Sequence, residues 1–468
     1  MRLVTRRSGS HKGGGFCVLI LAAGQGTRME SSRPKVLHPL GGRPIASYLL
    51  RAAIALKPSG IAVVVGHGAE EVQKAVQEVV KEYSIQRPLT FLRQKSLTGS
   101  GGAVLDAAAF LRKFETAMVL CGDTPLLTYE TLFALLNSHR DQKGHAAILT
   151  AKLNHPKGYG RIVRGPLGDV IKIVEEGEAS PKEAAIQEVN SGAYCFEAAP
   201  LIEAARDLEP SGHKREQYLT HCLERIRAKG GRISAFVTQT PEEILGINSR
   251  VQLAQAERIL NRRILDRLMI SGVTVIDPAH TYVEMDVEIE RDTVLWPGTI
   301  LRGRTRIGRE CRIGPYTCLS DTTVGNGCEI VSSHVSGARI LEKSTIGPFA
   351  HIRPETIVGP RAKVGNFSEL KAARVGFGSK VPHLSYIGDC DIAEEVNVGA
   401  GTITCNYDGE AKHKTIIQAK AFIGSNVNLV APVKVGRGAK IGAGSTITQD
   451  VPDGVLAIAR APQVNKER

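Results

Sequence analysis

The chain has 468 residues, 42% of them apolar but only 5% aromatic, and carries a formal net charge of +13. That length suits two or three domains with substantial cores. The basic excess forms no Lys/Arg block with interleaved aromatics, which argues against nucleic acid and leaves anionic small molecules as the expected partners.

Residues 1–15 hold Arg2, Arg6, Arg7 and Lys12 without an acid and read as a disordered basic tail. The apolar run from Phe16 to Ala23 is too short to span a bilayer and leads into Gly-Gln-Gly rather than a cleavage site, so neither a membrane anchor nor a signal peptide is expected. The cysteines are scattered from Cys17 to Cys405 with no C-x-x-C pair, and Cys311, Cys318 and Cys328 lack zinc-ligand spacing; reduced thiols in a cytosol are expected. Between 16 and about 250, short apolar runs alternate with amphipathic stretches. Candidate strands are Cys17–Leu21, Ile61–Val65, Ala117–Leu120, Ala146–Thr150, Ala193–Phe196 and Ile233–Val237, with helical patterns such as Ala69–Lys81 and Thr128–Ser138 between them. This order predicts a mostly parallel α/β sheet with helices on both faces, binding ligands at the C-terminal strand ends. Arg250 to about Ser271 reads as one long connecting helix, with Leu253, Ile259, Leu260, Ile264 and Leu268 among charges.

From about 273 the period changes. Ile346, Ile352, Val358, Val364 and Leu370 recur every sixth residue, as do Ile423, Leu429, Val435, Ile441 and Ile447, and many precede a glycine. Period six is the hexapeptide signature of a parallel β-helix, in which each unit forms one side of a triangular coil with its aliphatic residue inward. The repeat lapses at 405–415, as an insertion looping out from one face would make it do. The expected domains are thus 16–249, a helical linker over 250–272, and a β-helix over 273–468.

Two constellations carry chemistry. In the first half, the strand ending at Leu21 runs into Ala22-Ala23-Gly24-Gln25-Gly26-Thr27-Arg28. Such a loop lets backbone N–H groups approach phosphate oxygens, and Arg28 adds a charge-assisted contact, although a purely structural turn explains the loop equally well. Arg33-Pro34-Lys35 follows, then Gln94 with Leu97-Thr98-Gly99-Ser100-Gly101, Cys121-Gly122-Asp123-Thr124-Pro125-Leu126, Gly158-Tyr159-Gly160-Arg161, Ile173-Val174-Glu175, Val189-Asn190-Ser191-Gly192 and Gly246-Ile247-Asn248. In this order the motifs resemble the sugar-nucleotidyltransferases, and among them the bacterial N-acetylglucosamine-1-phosphate uridyltransferases.

The resemblance implies attack of a sugar-1-phosphate oxygen on the α-phosphorus of UTP. That reaction needs cations and positioning more than covalent catalysis. Lys35 and Arg28 can neutralise phosphate charge. By resemblance, Asp123 and Asn248 hold Mg²⁺, and Leu21, Ala22, Ala23, Gly24 and Ser100 line the UTP site. Gln94 and Gly99 would then read uracil, and Gly160, Glu175 and Asn190 would hold the sugar. Where the family has G-T-x-H-A, this chain has Gly99-Ser100-Gly101-Gly102-Ala103, so a side chain is missing at Gly102.

In the second half, Arg353-Pro354, Lys371, His383-Leu384-Ser385-Tyr386, Asn397 and the stretch from Gly399 to Gly409 resemble glucosamine-1-phosphate acetyltransferases of the hexapeptide class. Transfer of an acetyl group to an amine needs a base active near neutral pH, and His383 is the candidate. Arg353 and Lys371 suit a sugar phosphate, with Tyr386 and Asn397 completing that site. Ala400, Asn406, Tyr407, Ser425, Ala443 and Arg460 match acetyl-CoA positions, and Lys412 sits in the insertion. Such acyltransferases resemble one another in forming trimers with sites between subunits, so a homotrimer is expected. Val381-Pro382 stands where small residues are commoner, and little basic tail follows Pro462-Gln463. The whole resemblance implies a cytoplasmic enzyme making UDP-N-acetylglucosamine for cell-wall precursors. The alternatives are a single-activity pyrophosphorylase with a regulatory β-helix and a non-catalytic interaction protein; His383 with Lys412 argues against the first, and Lys35 with Asp123 and Asn248 against the second.

Overall fold

The computed structural model describes residues 15–82, 89–94, 98–210 and 216–466. Of the expected basic tail only Gly15 is among them, and Leu97 lies outside. The chain divides into two compact units, with the boundary between Ile259 and Leu260. That boundary falls within the helix Arg250–Ile270, where the connector was expected.

The first unit is a nine-stranded sheet. Its strands are β1 (Phe16–Ala22), β2 (Gly60–Val65), β3 (Leu89–Arg93), β4 (Thr116–Cys121), β5 (Ala146–Lys152), β6 (Arg161–Arg164), β7 (Val170–Val174), β8 (Glu188–Glu197) and β9 (Ile233–Val237). The order across the sheet is β9-β5-β8-β4-β1-β2-β3, with β6 paired to β8 and β7. The residues of β1 alternate between two cores: Cys17 and Leu19 join one with Val104, Leu201 and Leu223, while Val18 and Ile20 join the other with Leu49, Val72 and Leu132. Helices therefore cover both faces, and a strand apolar on both sides reads as an unbroken hydrophobic run.

The sheet is mixed: β1 to β4 run parallel to one another, as do β5 and β9. β8 runs antiparallel to both β4 and β5. The short strands β6 and β7 were not anticipated; they form an antiparallel hairpin, and β6 pairs with β8 where Arg161 meets Val189. The hairpin and the four-residue helix Pro181–Ala184 separate β5 from β8, which returns antiparallel to it.

The second unit winds through three parallel sheets of eleven, ten and nine short strands, the architecture of a left-handed β-helix of hexapeptide repeats. The period-six residues explain the geometry. Ile346, Ile352 and Val358 fall on the first, second and third sheets, and the next coil stacks Val364 on Ile346 and Leu370 on Ile352. All five are fully buried. Each such side chain contributes about 1.5–3 kcal/mol through burial. The corners need left-handed backbone, and Phe349, Phe367 and Leu384 adopt it at φ 60°, 56° and 49°. Ladder bonds offset that strain: Phe367 N–H donates to Phe349 O at 3.0 Å and Leu384 N–H to Asn366 O at 3.0 Å. Several buried corner hydroxyls are satisfied too, as when Ser379 Oγ donates to Ala393 O at 2.6 Å, whereas those of Thr356 and Thr415 have no partner among the described residues. The lapse at 405–415 is a small hairpin in which Tyr407 pairs with Lys412 and Asp408 caps the turn by accepting from the amides of Glu410 and Ala411, both at 2.8 Å.

Candidate active sites

At the C-terminal ends of β1 and β4 lies a cleft of about 620 Å³. Its walls include Leu21, Ala22, Ala23, Gly24, Lys35, Gln94, Gly99, Ser100 and Asp123 of the residues expected for UTP. Lys35 is the hub. Its Nζ donates to Asp123 Oδ2 at 2.5 Å and to Asn248 Oδ1 at 2.9 Å, with side-chain exposures of 13% for Lys35 and 20% for Asp123. Gly26 makes room for the hub: at φ 66° it takes the left-handed conformation, and a Cβ there would come 2.6 Å from Lys35 Cβ. Asn248 is held in place because its N–H donates to Gln252 Oε1 at 2.8 Å. Asp123 and Asn248 thus present two hard oxygens converging on one cation, a donor set that fits Mg²⁺ completed by phosphate oxygens and water. Arg28 sits exposed on the single turn Thr27–Met29 and is not part of the cleft wall.

Gln94 is buried and donates from Nε2 to Gly99 O at 3.0 Å, which fixes the loop edge. The departure at Gly102 has a local explanation. A Cβ there would lie 2.0 Å from Thr98 Oγ1, so the threonine hydroxyl fills the space a side chain would need. Ser100 Oγ accepts from Leu219 N–H at 2.9 Å, and Gly101 N–H donates to Gln217 O at 2.7 Å. These bonds tie segment 216–219 to the cleft, which is how Glu216 comes to line it; nothing in the sequence signalled that residue.

Gly160, Glu175 and Asn190 come together beside β6, β7 and β8. Asn190 N–H donates to Gly160 O at 2.9 Å, and a Cβ on Gly160 would lie 3.6 Å from Glu175 Oε2. Asn190 Nδ2 donates to Tyr194 Oη at 2.7 Å. Glu175 accepts from Thr220 Oγ1 at 2.9 Å; burial raises its carboxyl above the ordinary range, and the Thr220 bond only partly opposes that.

In the coil unit the expected residues lie on successive turns. His383 ends the strand Lys380–His383, which pairs in register with Lys363–Asn366 below it; Val381 is buried, and Pro382 does not break that register. Asn366, which sequence reasoning missed, lies one coil before His383, and its Oδ1 is 2.5 Å from His383 Nδ1. Only a coil-period offset of 17 residues could have pointed to it. Because an amide oxygen only accepts, Nδ1 carries the proton and Nε2 is left as the basic nitrogen.

Arg353 Nη1 pairs with Glu369 Oε1 at 2.9 Å. Lys371 stacks over Gly388, and its pKa is lowered by the adjacent Lys412 ammonium and then by Arg353. Gly388 was also missed: a Cβ there would sit 2.6 Å from Tyr386 Oη and 2.8 Å from Asn406 Nδ2, so its bareness leaves room for both groups. Asn406 Nδ2 donates to Asp389 Oδ2 at 2.5 Å, and Tyr407 Oη to Gly409 O at 2.5 Å. Asn397 lies on the next coil, opposite Lys380. Ala400 O accepts from Asn426 N–H at 2.7 Å, Ser425 O from Gly444 N–H at 2.8 Å, and Ala443 O from Arg460 Nη1 at 2.5 Å, a line of backbone running up the coils.

The MobA-like NTP transferase domain profile matches residues 18–206, and the bacterial transferase hexapeptide (six repeats) profile matches 414–449. The chain is 48% identical over 450 residues to the bifunctional protein GlmU of Geobacillus sp. (strain WCH70), with 96% of each chain covered. It is 47% identical over 449 residues to the bifunctional protein GlmU of Caldanaerobacter subterraneus subsp. tengcongensis, again covering 96% of each. Against that of Brevibacillus brevis it is 47% identical over 449 residues, covering 96% of this chain and 95% of the relative.

Proposed function

The chain belongs to the GlmU family of bifunctional proteins, and from that premise we propose that its coil unit acetylates glucosamine-1-phosphate with acetyl-CoA and its sheet unit then joins the product to UTP, releasing pyrophosphate. The observation that carries the uridylyl step is the convergence of Lys35, Asp123 and Asn248 at one edge of the cleft. Two anions must meet there. Lys35 neutralises phosphate charge, and the loop from Ala22 to Gly26 presents backbone to the triphosphate. Arg28 adds a second cation from the loop's outer edge. Asp123 and Asn248 would hold Mg²⁺, which when bound spreads the charge developing on phosphate oxygens. Gln94 and Gly99 set the base edge, Ser100 fixes the wall behind it, and Glu175, Asn190 and Gly160 hold the acetylated sugar.

In the coil unit, Nε2 of His383 takes the proton from the substrate amine as its nitrogen attacks the thioester carbonyl. The C–S bond breaks, and CoA leaves as a thiolate that is then protonated. Asn366 fixes the tautomer. Arg353, Lys371 and Lys412 receive the sugar phosphate, and the crowding that lowers the pKa of Lys371 is the kind of repulsion a dianion relieves. Tyr386 and Asn397 orient the sugar. Ala400, Asn406, Tyr407, Ser425, Ala443 and Arg460 line the acetyl-CoA arm. A corner ridge of exposed Tyr316, Phe349, Phe367 and Leu384 supports a homotrimer, since association would cover it. Dependence on UTP and acetyl-CoA implies a cytoplasmic enzyme.

The deciding experiment incubates the full chain with UTP, acetyl-CoA, glucosamine-1-phosphate and Mg²⁺, with dTTP as competitor, and analyses products by mass spectrometry. UDP-N-acetylglucosamine, pyrophosphate and free CoA are expected together. Pyrophosphate without free CoA would reduce the protein to a single-activity pyrophosphorylase, and a thymidine product at equal yield would overturn the base assignment.

A further inference from the structure

The loop that carries Lys35 is anchored in the sheet unit by Met29, Val36 and Leu40, all buried. Apolar burial has no direction, so it seats the loop on the core without fixing where Lys35 Nζ stands relative to Asn248. Three polar contacts supply the direction, and all come from the first turns of the helix Arg250–Ile270. Arg250 Nε donates to Met29 O at 3.2 Å, and Arg250 Nη1 donates to His38 Nδ1 at 3.2 Å. Farther along, Gly41 N–H donates to both carboxylate oxygens of Glu257 at 3.0 Å. Lys35 lies between Met29 and His38, and Asn248 stands two residues before Arg250. One guanidinium therefore ties the chain on either side of Lys35 to the segment that bears its amide partner.

Packing alone does not account for His38. An arginine side chain only donates, so Nδ1 accepts and the proton sits on Nε2. That nitrogen is buried and makes no hydrogen bond among the described residues. Burial, then the charges of Arg250 and Arg33, lower the pKa of the ring against the opposing Arg33 backbone, so it stays a neutral acceptor. A buried N–H without a partner costs stability that an apolar side chain of similar size would not cost. What the ring supplies, and such a side chain cannot, is the acceptor for Arg250.

We propose, on the uridylyl-transfer reading above, that Arg250 and His38 are positioning residues: the bond between them sets Lys35 Nζ against Asn248 before the phosphates enter. Lys35 is probed first without substrate, by labelling the full chain with limiting acetic anhydride and measuring Lys35 against the exposed Lys57 by mass spectrometry. Arg250→Met and His38→Leu should each raise the Lys35 share about fivefold or more, because an ammonium no longer held between Asp123 and Asn248 is freer to meet the reagent. His38→Asn, whose Oδ1 can stand where Nδ1 stands, should label like the parent. An unchanged share in Arg250→Met, or an equal rise in His38→Leu and His38→Asn, overturns the clamp. Uridylyl-transfer kcat should fall about tenfold or more in Arg250→Met and in His38→Leu, with KM for UTP changing less than kcat. The double variant should be worse than Arg250→Met by no more than about twofold. Losses that multiply in the double variant, a change in KM alone, or free-CoA release that falls in step with kcat would assign both residues to the fold and refute the positioning. A parent chain inert toward UTP would count against the function and not against the clamp, since the labelling uses no nucleotide.

Discussion

In the sheet unit, Lys35 reaches partners 88 and 213 residues away to form its cluster, inside a cleft where the side chains are mostly buried. In the coil unit, His383 and Asn366 are 17 residues apart, one turn of a repeat, and both Arg353 and Glu369 are 38% exposed. The first site is assembled by the whole topology of its unit and works in a recess where water screens charge weakly. The second is assembled by stacking register and works at a surface, where isolated ion pairs are worth little and orientation matters more. Electrostatic changes should therefore be felt most in the cleft, and positional changes most on the coils.

The sharpest break of this contrast is Asp123→Ala. Removing the carboxylate leaves Lys35 with one partner, and uridylyl transfer should fall about a thousandfold or more, while free-CoA release stays at the parent rate. An equal fall in both activities would mean the two sites are not independent. His383→Ala should do the reverse, lowering CoA release about a hundredfold or more with pyrophosphate release intact. Asn366→Ala should lose less and, because it frees the tautomer, should change the pH profile of acetyl transfer; a loss of rate with an unaltered profile would assign Asn366 a purely structural part.

A third change tests the coils as a scaffold. Ile352→Ala opens a cavity at a fully buried position and should cost about 2–5 kcal/mol in denaturant unfolding, with both sites failing only as the unit unfolds. The smallest effect is Glu175→Gln. Burial raises this carboxyl in the folded state above its ordinary pKa of 4.5, so the folded protein holds the proton more tightly than the unfolded chain. Stability is then lost as pH rises from 4.5 through the raised folded value. Glu175→Gln should match the parent below that window and melt slightly higher above it, with a weaker KM for the sugar phosphate. A melting difference independent of pH would show that the carboxyl is not buried against its charge.

Much of the cleft was legible because each motif is local. A buried strand running into Gly24-Gln25-Gly26, Lys35 soon after, and Asp123 just past β4 can be read off neighbouring residues. The coil core was legible for a stronger reason: burial there recurs at a fixed period, so Ile346, Ile352 and Val358 announce three sheets without any knowledge of the fold. The hairpin β6–β7 and the reversal of β8 were not legible, since short half-buried strands carry no period of their own.

Periodic burial and loop chemistry are properties of neighbouring residues, and from them came the two units and the β-helix; the expected participation of Lys35, Asp123, Asn248 and His383 rested on the resemblance of the motifs around them to known nucleotidyltransferases and acetyltransferases. Contacts across the fold were decided only in three dimensions: the meeting of Lys35 with both oxygens, Asn366 beneath His383, Gly388 making way for Tyr386 and Asn406, Thr98 filling the space over Gly102, and Gln252 bracing Asn248. These pairings depend on which loops close upon one another, and that is fixed by the packing of the unit as a whole rather than by any stretch of its sequence.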